Sequence, residues 1–115
     1  MNEIKNKVII VEGKSDKDKL AAILDEPVEI ICTNGTLGLD KLEELALAIE
    51  DRDVYILVDA DDAGHKLRKQ LQRELPNAEH LYINKMYREV AKTPLMYLAK
   101  VLVGAHFNIQ KNCLG

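Results

Sequence analysis

Short apolar runs alternate along the chain with longer segments in which apolar residues recur at helical spacing. Strands are predicted at 7–11, 28–31, 53–58 and 79–83. The first three consist almost entirely of apolar residues, which is typical of strands buried on both faces. Between the third and fourth strands, Leu67, Leu71 and Leu75 form the stripe of an amphipathic helix. The alternation predicts an α/β fold with a four-stranded, mainly parallel sheet sandwiched between helices.

Capping residues predict where two of the helices begin. Ser15, with Asp18 three positions later, has the pattern of a capping box at the start of the first helix. Thr93 followed by Pro94 has the pattern of an N-cap and first helical residue at the start of the last helix. The polar, basic stretch 84–92 before that helix is predicted to be a loop or a short helix.

Length and composition narrow the class of protein. The 115 residues correspond to one domain over 1–115, with core motifs at 7–83 and a C-terminal helix and tail at 84–115. A net charge of −3 argues against a general basic coat for nucleic acid but not against a local basic patch. The two cysteines are far apart and the three histidines scattered, so no zinc site is expected. No run approaches the roughly 20 apolar residues that span a bilayer, and no signal-peptide pattern is present, so a cytoplasmic protein without a membrane partner is predicted.

Acidic residues follow the first and third strands, at the sheet edge where α/β proteins bind their ligands. Five carboxylates are expected to meet there: Glu12, Asp16, Asp59, Asp61 and Asp62. Crowded carboxylates repel one another unless a cation neutralises them, and Mg²⁺ is the usual cation where a phosphate is the other partner. The sequence therefore predicts metal binding or general acid-base chemistry on a phosphodiester, with Glu12, Asp59 and Asp61 at its centre.

Neighbouring residues are assigned supporting roles. Asp61 is predicted to be a metal ligand, whereas Asp62 is predicted to cap the third helix or to support the site indirectly. Lys14 lies beside the acidic residues and is a candidate partner for a phosphate or a carboxylate. Arg68, one turn after Gly64, is predicted to contact phosphate. In the basic stretch that follows the fourth strand, Tyr87 is a candidate for stacking on a base.

Three motifs in a fixed order strongly resemble the Toprim domain. They are Glu-Gly-Lys-Ser-Asp at 12–16, Thr-Asn-Gly-Thr at 33–36 and Asp-Ala-Asp-Asp-Ala-Gly at 59–64, each after a predicted strand. Type IA and type II topoisomerases, bacterial primases, OLD-family nucleases and RecR-type recombination proteins share this domain. The resemblance is greatest to the small stand-alone Toprim proteins of bacteria and to the Toprim ribonuclease that matures 5S ribosomal RNA.

The resemblance implies the Toprim fold, a Rossmann-like three-layer arrangement, and specific roles for residues. It makes Glu12 a general acid or base and a metal contact, and Asp59 and Asp61 the pair that binds Mg²⁺, with Mn²⁺ as a substitute. Together with the reasoning above, it predicts phosphate or nucleic-acid binding at Lys14, Thr33, Asn34, Gly35 and Arg68. The residues expected to support the site without contacting its ligand are Gly13, Asp16, Asp62 and Gly64.

Two functions are consistent with these residues. The first is Mg²⁺-dependent phosphodiester chemistry on nucleic acid by a small nuclease, with RNA favoured over DNA. The alternative is a non-catalytic Toprim module that binds nucleic acid or acts as an adaptor and needs a partner protein. The Toprim motifs indicate phosphodiester chemistry more firmly than they indicate a reaction, because topoisomerases carry their nucleophilic tyrosine in another domain. Association with a second copy of the chain or with a partner protein is left open.

Overall fold

Strands and helices alternate in the predicted order. The computed structural model describes residues 6–35 and 37–114. Its main elements are β1 (Lys7–Val11), α1 (Lys14–Ile23), β2 (Val28–Cys32), α2 (Leu39–Ile49), β3 (Asp53–Leu57), α3 (Asp62–Glu74), β4 (Glu79–Leu81) and α4 (Leu95–Gly104). Short 3₁₀ helices lie at Lys85–Tyr87, Val90–Lys92 and Lys111–Leu114. No helix within the described ranges is long and apolar enough to cross a membrane.

The strands form one sheet in the order β2-β1-β3-β4, and every neighbouring pair is parallel. In the register of the two central strands, Ile9 of β1 lies beside Ile30 of β2 and Tyr55 of β3. The predicted α/β class and four-stranded sheet are confirmed. Because all four strands run in one direction, the loops that follow β1, β2 and β3 lie at a single edge of the sheet.

Alternate residues of β1 enter two separate cores. Ile9 packs on the side covered by α1 and α4, where Leu20 and Leu98 are fully buried. Ile10 packs on the other side, which α2 and α3 cover with residues such as Leu67. The period of two along a strand therefore accounts for the predicted three layers. It also explains why Val8, Ile9, Ile10 and Val11 of β1 are all apolar, since each is fully buried in one of the two cores.

The predicted caps are wrong in position. Helix α1 begins at Lys14, directly after the N-cap Gly13, and not at Ser15. The Asp16 carboxylate accepts a hydrogen bond from the Gly13 N–H at 3.1 Å, so an acidic side chain reaches back from the third helical position. At α4 the N-cap is Pro94, and the Thr93 hydroxyl instead donates to the Glu89 carbonyl at 3.0 Å. Both helices therefore begin within one or two residues of the predicted positions, with different residues making the local hydrogen bonds.

Candidate metal and nucleic-acid site

Three carboxylates come together at the carboxyl edge of the sheet. Glu12 follows β1 and Asp59 and Asp61 follow β3, the strand beside it. One oxygen of each lies within 4.8 Å of the others, and all three side chains are partly buried. We refer to Glu12, Asp59 and Asp61 as the acidic triad. The sequence predicted these residues as the centre of the site, and the structure brings them together.

Each carboxylate of the acidic triad is oriented by one backbone N–H group. Glu12 Oε1 accepts from the Asp59 N–H at 2.9 Å, and Asp61 Oδ1 accepts from the Gly64 N–H at 2.7 Å. Asp59 Oδ1 accepts from the Val90 N–H at 2.8 Å. In the part of the chain that the structure describes, no ion pair involves any of the three. The second oxygen of each carboxylate is left for a ligand.

Burial and the neighbouring negative charges raise the pKa of two members of the acidic triad, Asp59 and Glu12. The pKa of Asp59 is raised to about 6, mainly by burial and also by the Glu12 charge, while the hydrogen bond from Val90 opposes the shift. Burial likewise raises the pKa of Glu12, with smaller contributions from the Asp61 and Asp16 charges. A divalent cation would remove this repulsion, and hard carboxylate oxygens are the ligands that Mg²⁺ and Mn²⁺ prefer. The donor set therefore fits such a cation.

A close approach of α3 to the end of β3 makes Gly64 necessary. A Cβ atom at Gly64 would lie 1.9 Å from the carbonyl oxygen of Asp59 and 2.8 Å from its carbonyl carbon. Any side chain would therefore push the helix away from the strand end. The bare glycine backbone positions both Asp59, which it packs against, and Asp61, to which its N–H donates. This contact is a physical reason for the glycine in the third motif.

Asp61 belongs to the acidic triad and also caps a helix, and its role as the cap corrects one prediction. It is the N-cap of α3, so the prediction that Asp62 is the cap is wrong. Asp62 is the first residue of the helix and is exposed, where its charge is favourable because it lies at the helix N-terminus. The cap uses Oδ1 of Asp61, and Oδ2 therefore remains available to the site.

Two residues of the first loop lie at the same edge without joining the acidic triad. Asp16 is buried against the Gly13 N–H, and its negative charge raises the pKa of both Glu12 and Asp59. Burial in turn raises the pKa of Asp16 itself. Lys14 is exposed in the first turn of α1, and phosphate binding by Lys14 stays a prediction.

The middle motif lies alongside the end of β1. The Thr33 N–H donates to the Val11 carbonyl at 3.0 Å, and the Asn34 N–H donates to the Glu12 carbonyl at 2.7 Å. Asn34 and Gly35 both adopt positive φ values, of 57° and 105°, which turn the chain sharply away from the sheet. The buried Thr33 hydroxyl finds no hydrogen-bond partner among the described residues; Thr36 lies outside them. The predicted phosphate contacts of this motif stay predictions.

Arg68 is held by contacts that the sequence did not indicate. Its guanidinium donates to the Leu81 carbonyl at 3.0 Å and to His80 Nδ1 at 2.9 Å. It also lies over the Tyr82 ring, 4.2 Å from the centroid. Burial lowers the pKa of Arg68, and burial together with the Arg68 charge lowers the pKa of His80, which favours the neutral, accepting ring. Arg68 thus positions side chains on β4 and after it, and phosphate contact stays a prediction.

The loop after the fourth strand supports the site in a way that sequence analysis missed. The Arg88 carbonyl accepts from the Ala60 N–H at 2.6 Å, and Val90 donates to Asp59 two residues later. Arg88 has a φ of 61°, and a hydrogen bond from Glu89 N–H to the Tyr87 carbonyl closes a tight turn around it. The one available signal was Val90, a buried apolar residue within a polar stretch.

Comparison with protein families identifies the class. The model of the Toprim domain matches residues 7–86, so the chain belongs to the Toprim family, as its motifs predicted. A solved structure described as a small TOPRIM domain protein from Bacillus stearothermophilus superimposes with a TM-score of 0.95. It is 56% identical, and the match covers 98% of this chain and 96% of that one.

Curated relatives fall into two groups. Protein YusF of Bacillus subtilis is 55% identical over 109 residues, which is 95% of this chain and 74% of the relative. Ribonuclease M5 of Fusobacterium nucleatum is 35% identical over 79 residues, 69% of this chain and 43% of the relative. Ribonuclease M5 of Bacillus subtilis is 33% identical over 79 residues, 68% of this chain and 41% of the relative. The chain thus spans less than half the length of these ribonucleases.

Proposed function

We propose that this protein is a metal-dependent nuclease that hydrolyses phosphodiester bonds in RNA. The observation that carries the proposal is the acidic triad: one oxygen of each residue lies within 4.8 Å of the others, and none of the three forms an ion pair with another described residue. The similarity to Ribonuclease M5 over 79 residues favours RNA as the substrate. Mg²⁺ is the expected cation and Mn²⁺ the expected substitute.

In this proposal the side chains divide the chemistry among them. Asp59 and Asp61 hold the cation through the oxygens that their backbone partners leave unused. Glu12 either completes the ligand set or accepts a proton from the attacking water, and its raised pKa suits proton transfer closer to neutral pH. A bound divalent cation supplies an oriented, acidified water and stabilises the charge that develops on the phosphate. Lys14, exposed at the same edge, is the candidate partner for that phosphate.

The test is a cleavage assay with structured RNA, single-stranded RNA and single-stranded DNA, in Mg²⁺, Mn²⁺ or EDTA. Asp59→Asn and Asp61→Asn keep a side-chain oxygen for the Val90 and Gly64 N–H groups, so each should fold and lose its negative charge only. We expect either change to lower the cleavage rate by at least about 100-fold, the scale on which a group that stabilises transition-state charge acts. Asp62→Asn, which removes a neighbouring exposed carboxylate, is the matched control and should cut normally.

The alternative is a Toprim module that binds nucleic acid without cutting it. The fact that favours it is the short span of the match to Ribonuclease M5, 43% of the relative from Fusobacterium nucleatum. Such a module would bind RNA with an affinity that falls as salt rises, and Asp59→Asn would leave that affinity unchanged. Salt-dependent binding without cleavage in any metal would overturn the nuclease proposal.

A further inference from the structure

A small cleft adjoins the acidic triad on the side of β4. Its volume is about 270 Å³, and its lining includes Asp59, Arg68, Tyr82 and Lys85. Val58 and Ile83 contribute apolar surface to it. The volume lies just below the range of about 300–1,000 Å³ that accommodates drug-sized ligands. It suits one flat ring system with an attached anionic group.

The Tyr82 ring is exposed yet held in place. Its exposed fraction is 64%, so most of the side chain is open to solvent. Arg68 covers one face of the ring at 4.2 Å, and Arg68 is itself fixed by the Leu81 carbonyl and by His80. The guanidinium therefore fixes the orientation of the ring before any ligand arrives. The rest of the ring faces solvent, and an aromatic surface held in this way is typical of stacking platforms for bases.

The charges around the cleft suit a nucleotide better than an uncharged aromatic ligand. Arg68 lies beneath the ring, and Lys85 lies at the lip, where it is exposed. A cation beside an aromatic face is the pairing that proteins use for single strands, because the base stacks while its phosphate is neutralised. Asp59, which also lines the cleft, belongs to the acidic triad. A base held on Tyr82 would therefore place the adjoining phosphate near the candidate metal ligands.

We propose that this cleft binds one unpaired base of a nucleic-acid strand, stacked on the open face of Tyr82, with Lys85 beside its phosphate. The inference deepens the proposed function and rests on it for the reaction that follows binding. It makes Tyr82 a substrate-binding residue and Arg68 the positioning residue beneath it. It also gives a reason for selecting single-stranded or looped RNA, since a paired base cannot enter the cleft.

The experiment measures binding in EDTA, where no metal-dependent cleavage occurs. Fluorescence anisotropy is recorded with a labelled oligoadenylate RNA, with the matching DNA, and with an abasic strand of equal length and charge. We expect Tyr82→Ala to weaken binding of the base-containing strands by about 5- to 150-fold, the range for loss of one stacked base. Tyr82→Phe keeps the ring and should bind normally. The abasic strand should bind the wild type and Tyr82→Ala equally weakly.

A second exposed tyrosine supplies the matched control. Tyr97 lies outside the cleft, with its ring 5.8 Å from that of Tyr87 and beside Lys100. Tyr97→Ala should leave the affinity unchanged. The inference is overturned if Tyr82→Ala binds as tightly as the wild type, if Tyr97→Ala causes an equal loss, or if the abasic strand binds as tightly as the base-containing ones. Unchanged melting of the variants shows that the fold is intact.

The inference and the proposed function fail in different ways. Binding that depends on Tyr82, in a protein that cuts nothing in any metal, keeps the cleft and overturns the nuclease. Metal-dependent cutting with an unchanged KM in Tyr82→Ala keeps the nuclease and overturns the cleft. If both hold, Tyr82→Ala should raise KM for single-stranded RNA by the factor it loses in affinity, while kcat changes little.

Discussion

The two ends of the sheet treat carboxylates in opposite ways. At the amino end, Glu26 pairs with Lys7 at 3.2 Å and Glu29 pairs with Arg52 at 2.7 Å. At the carboxyl end, no ion pair within the described ranges involves the acidic triad, although its carboxylates are partly buried and close together. The same side-chain chemistry is paired with lysine and arginine at one end, whereas at the other it has the arrangement expected of a cation site. The difference separates structural carboxylates from candidate functional ones.

The partners at the two ends differ in kind as well as in charge. Lys7 also donates to the His106 carbonyl at 3.1 Å and lies 4.6 Å from the centre of the Phe107 ring, so one cation joins β1 to the segment after α4. The acidic triad is instead oriented by neutral N–H groups. Neutral donors orient a carboxylate and leave its net charge in place. Such an arrangement costs stability, because burial and like charges disfavour the ionised carboxylates.

The largest effect is expected where the backbone itself positions the carboxylates. Gly64→Ala places a Cβ atom 1.9 Å from the Asp59 carbonyl oxygen, so α3 must move, and we expect a loss of about 3 kcal/mol in unfolding free energy. Metal binding should be lost in whatever fraction stays folded. Gly104→Ala is the control, because no atom outside its own helix turn lies within 4 Å of its added Cβ. Urea denaturation measures both variants; equal stability of the two would contradict the close approach.

Addition of Mg²⁺ should stabilise the protein, because the cation would neutralise the carboxylates at the carboxyl end of the sheet. At about 100 times its Kd, a cation that binds only the folded state adds about 2.7 kcal/mol, or about 10 °C in Tm for a domain of this size. Thermal melts of wild type with and without Mg²⁺ measure the shift. The rise in Tm on addition of Mg²⁺ should be small in Asp59→Asn and should be as large in Glu26→Gln as in the wild type. An equal response in the two variants would mean that the cation binds elsewhere.

Removal of one negative charge should have opposite effects at the two ends when metal is absent. In EDTA, Asp59→Asn should raise the unfolding free energy by about 1 kcal/mol, because it removes a carboxylate disfavoured by burial, an effect reduced by solvent screening. Glu26→Gln should lower it by about 1 kcal/mol, because it removes the charge that pairs with Lys7. Chemical denaturation in EDTA compares them. A lower unfolding free energy in both variants would contradict the proposed difference between the two ends of the sheet.

The smallest effect is a dependence on pH. The folded-state pKa of Asp59 is about 6, above its ordinary value of 3.8, so this group favours the folded state when protonated. Its contribution to the unfolding free energy is fully present below about pH 4 and is lost as pH rises to about 6 and beyond. Melts in EDTA from acid to neutral pH should show a decline that is shallower in Asp59→Asn. The extra stability from Mg²⁺ should grow over the same interval, since only the ionised carboxylate binds the cation.

Local sequence patterns predicted the fold and the centre of the site but not the details of its support. Asp59 and Asp61 were identified because they follow an apolar strand, and any parallel sheet brings such residues to one edge. The hydrogen bond from Val90 to Asp59 joins residues 31 positions apart, and no local pattern specifies that distance. Tyr82 was overlooked for a similar reason, because its importance depends on Arg68 lying beneath its ring.

By itself, the sequence determined the three layers of the fold, the order in which the motifs follow the strands, and the three carboxylates of the acidic triad. These depend on the periods of helix and strand and on residues adjacent in the chain, where the physics is local. Only the tertiary structure decided which groups orient those carboxylates, which helix residue caps α3, and why Gly64 admits no side chain. It also decided that Glu26 and Glu29 at the amino end meet Lys7 and Arg52, whereas no ion pair within the described ranges involves the acidic triad. Electrostatic energy depends on distances across the fold, and these are set when separate elements pack together.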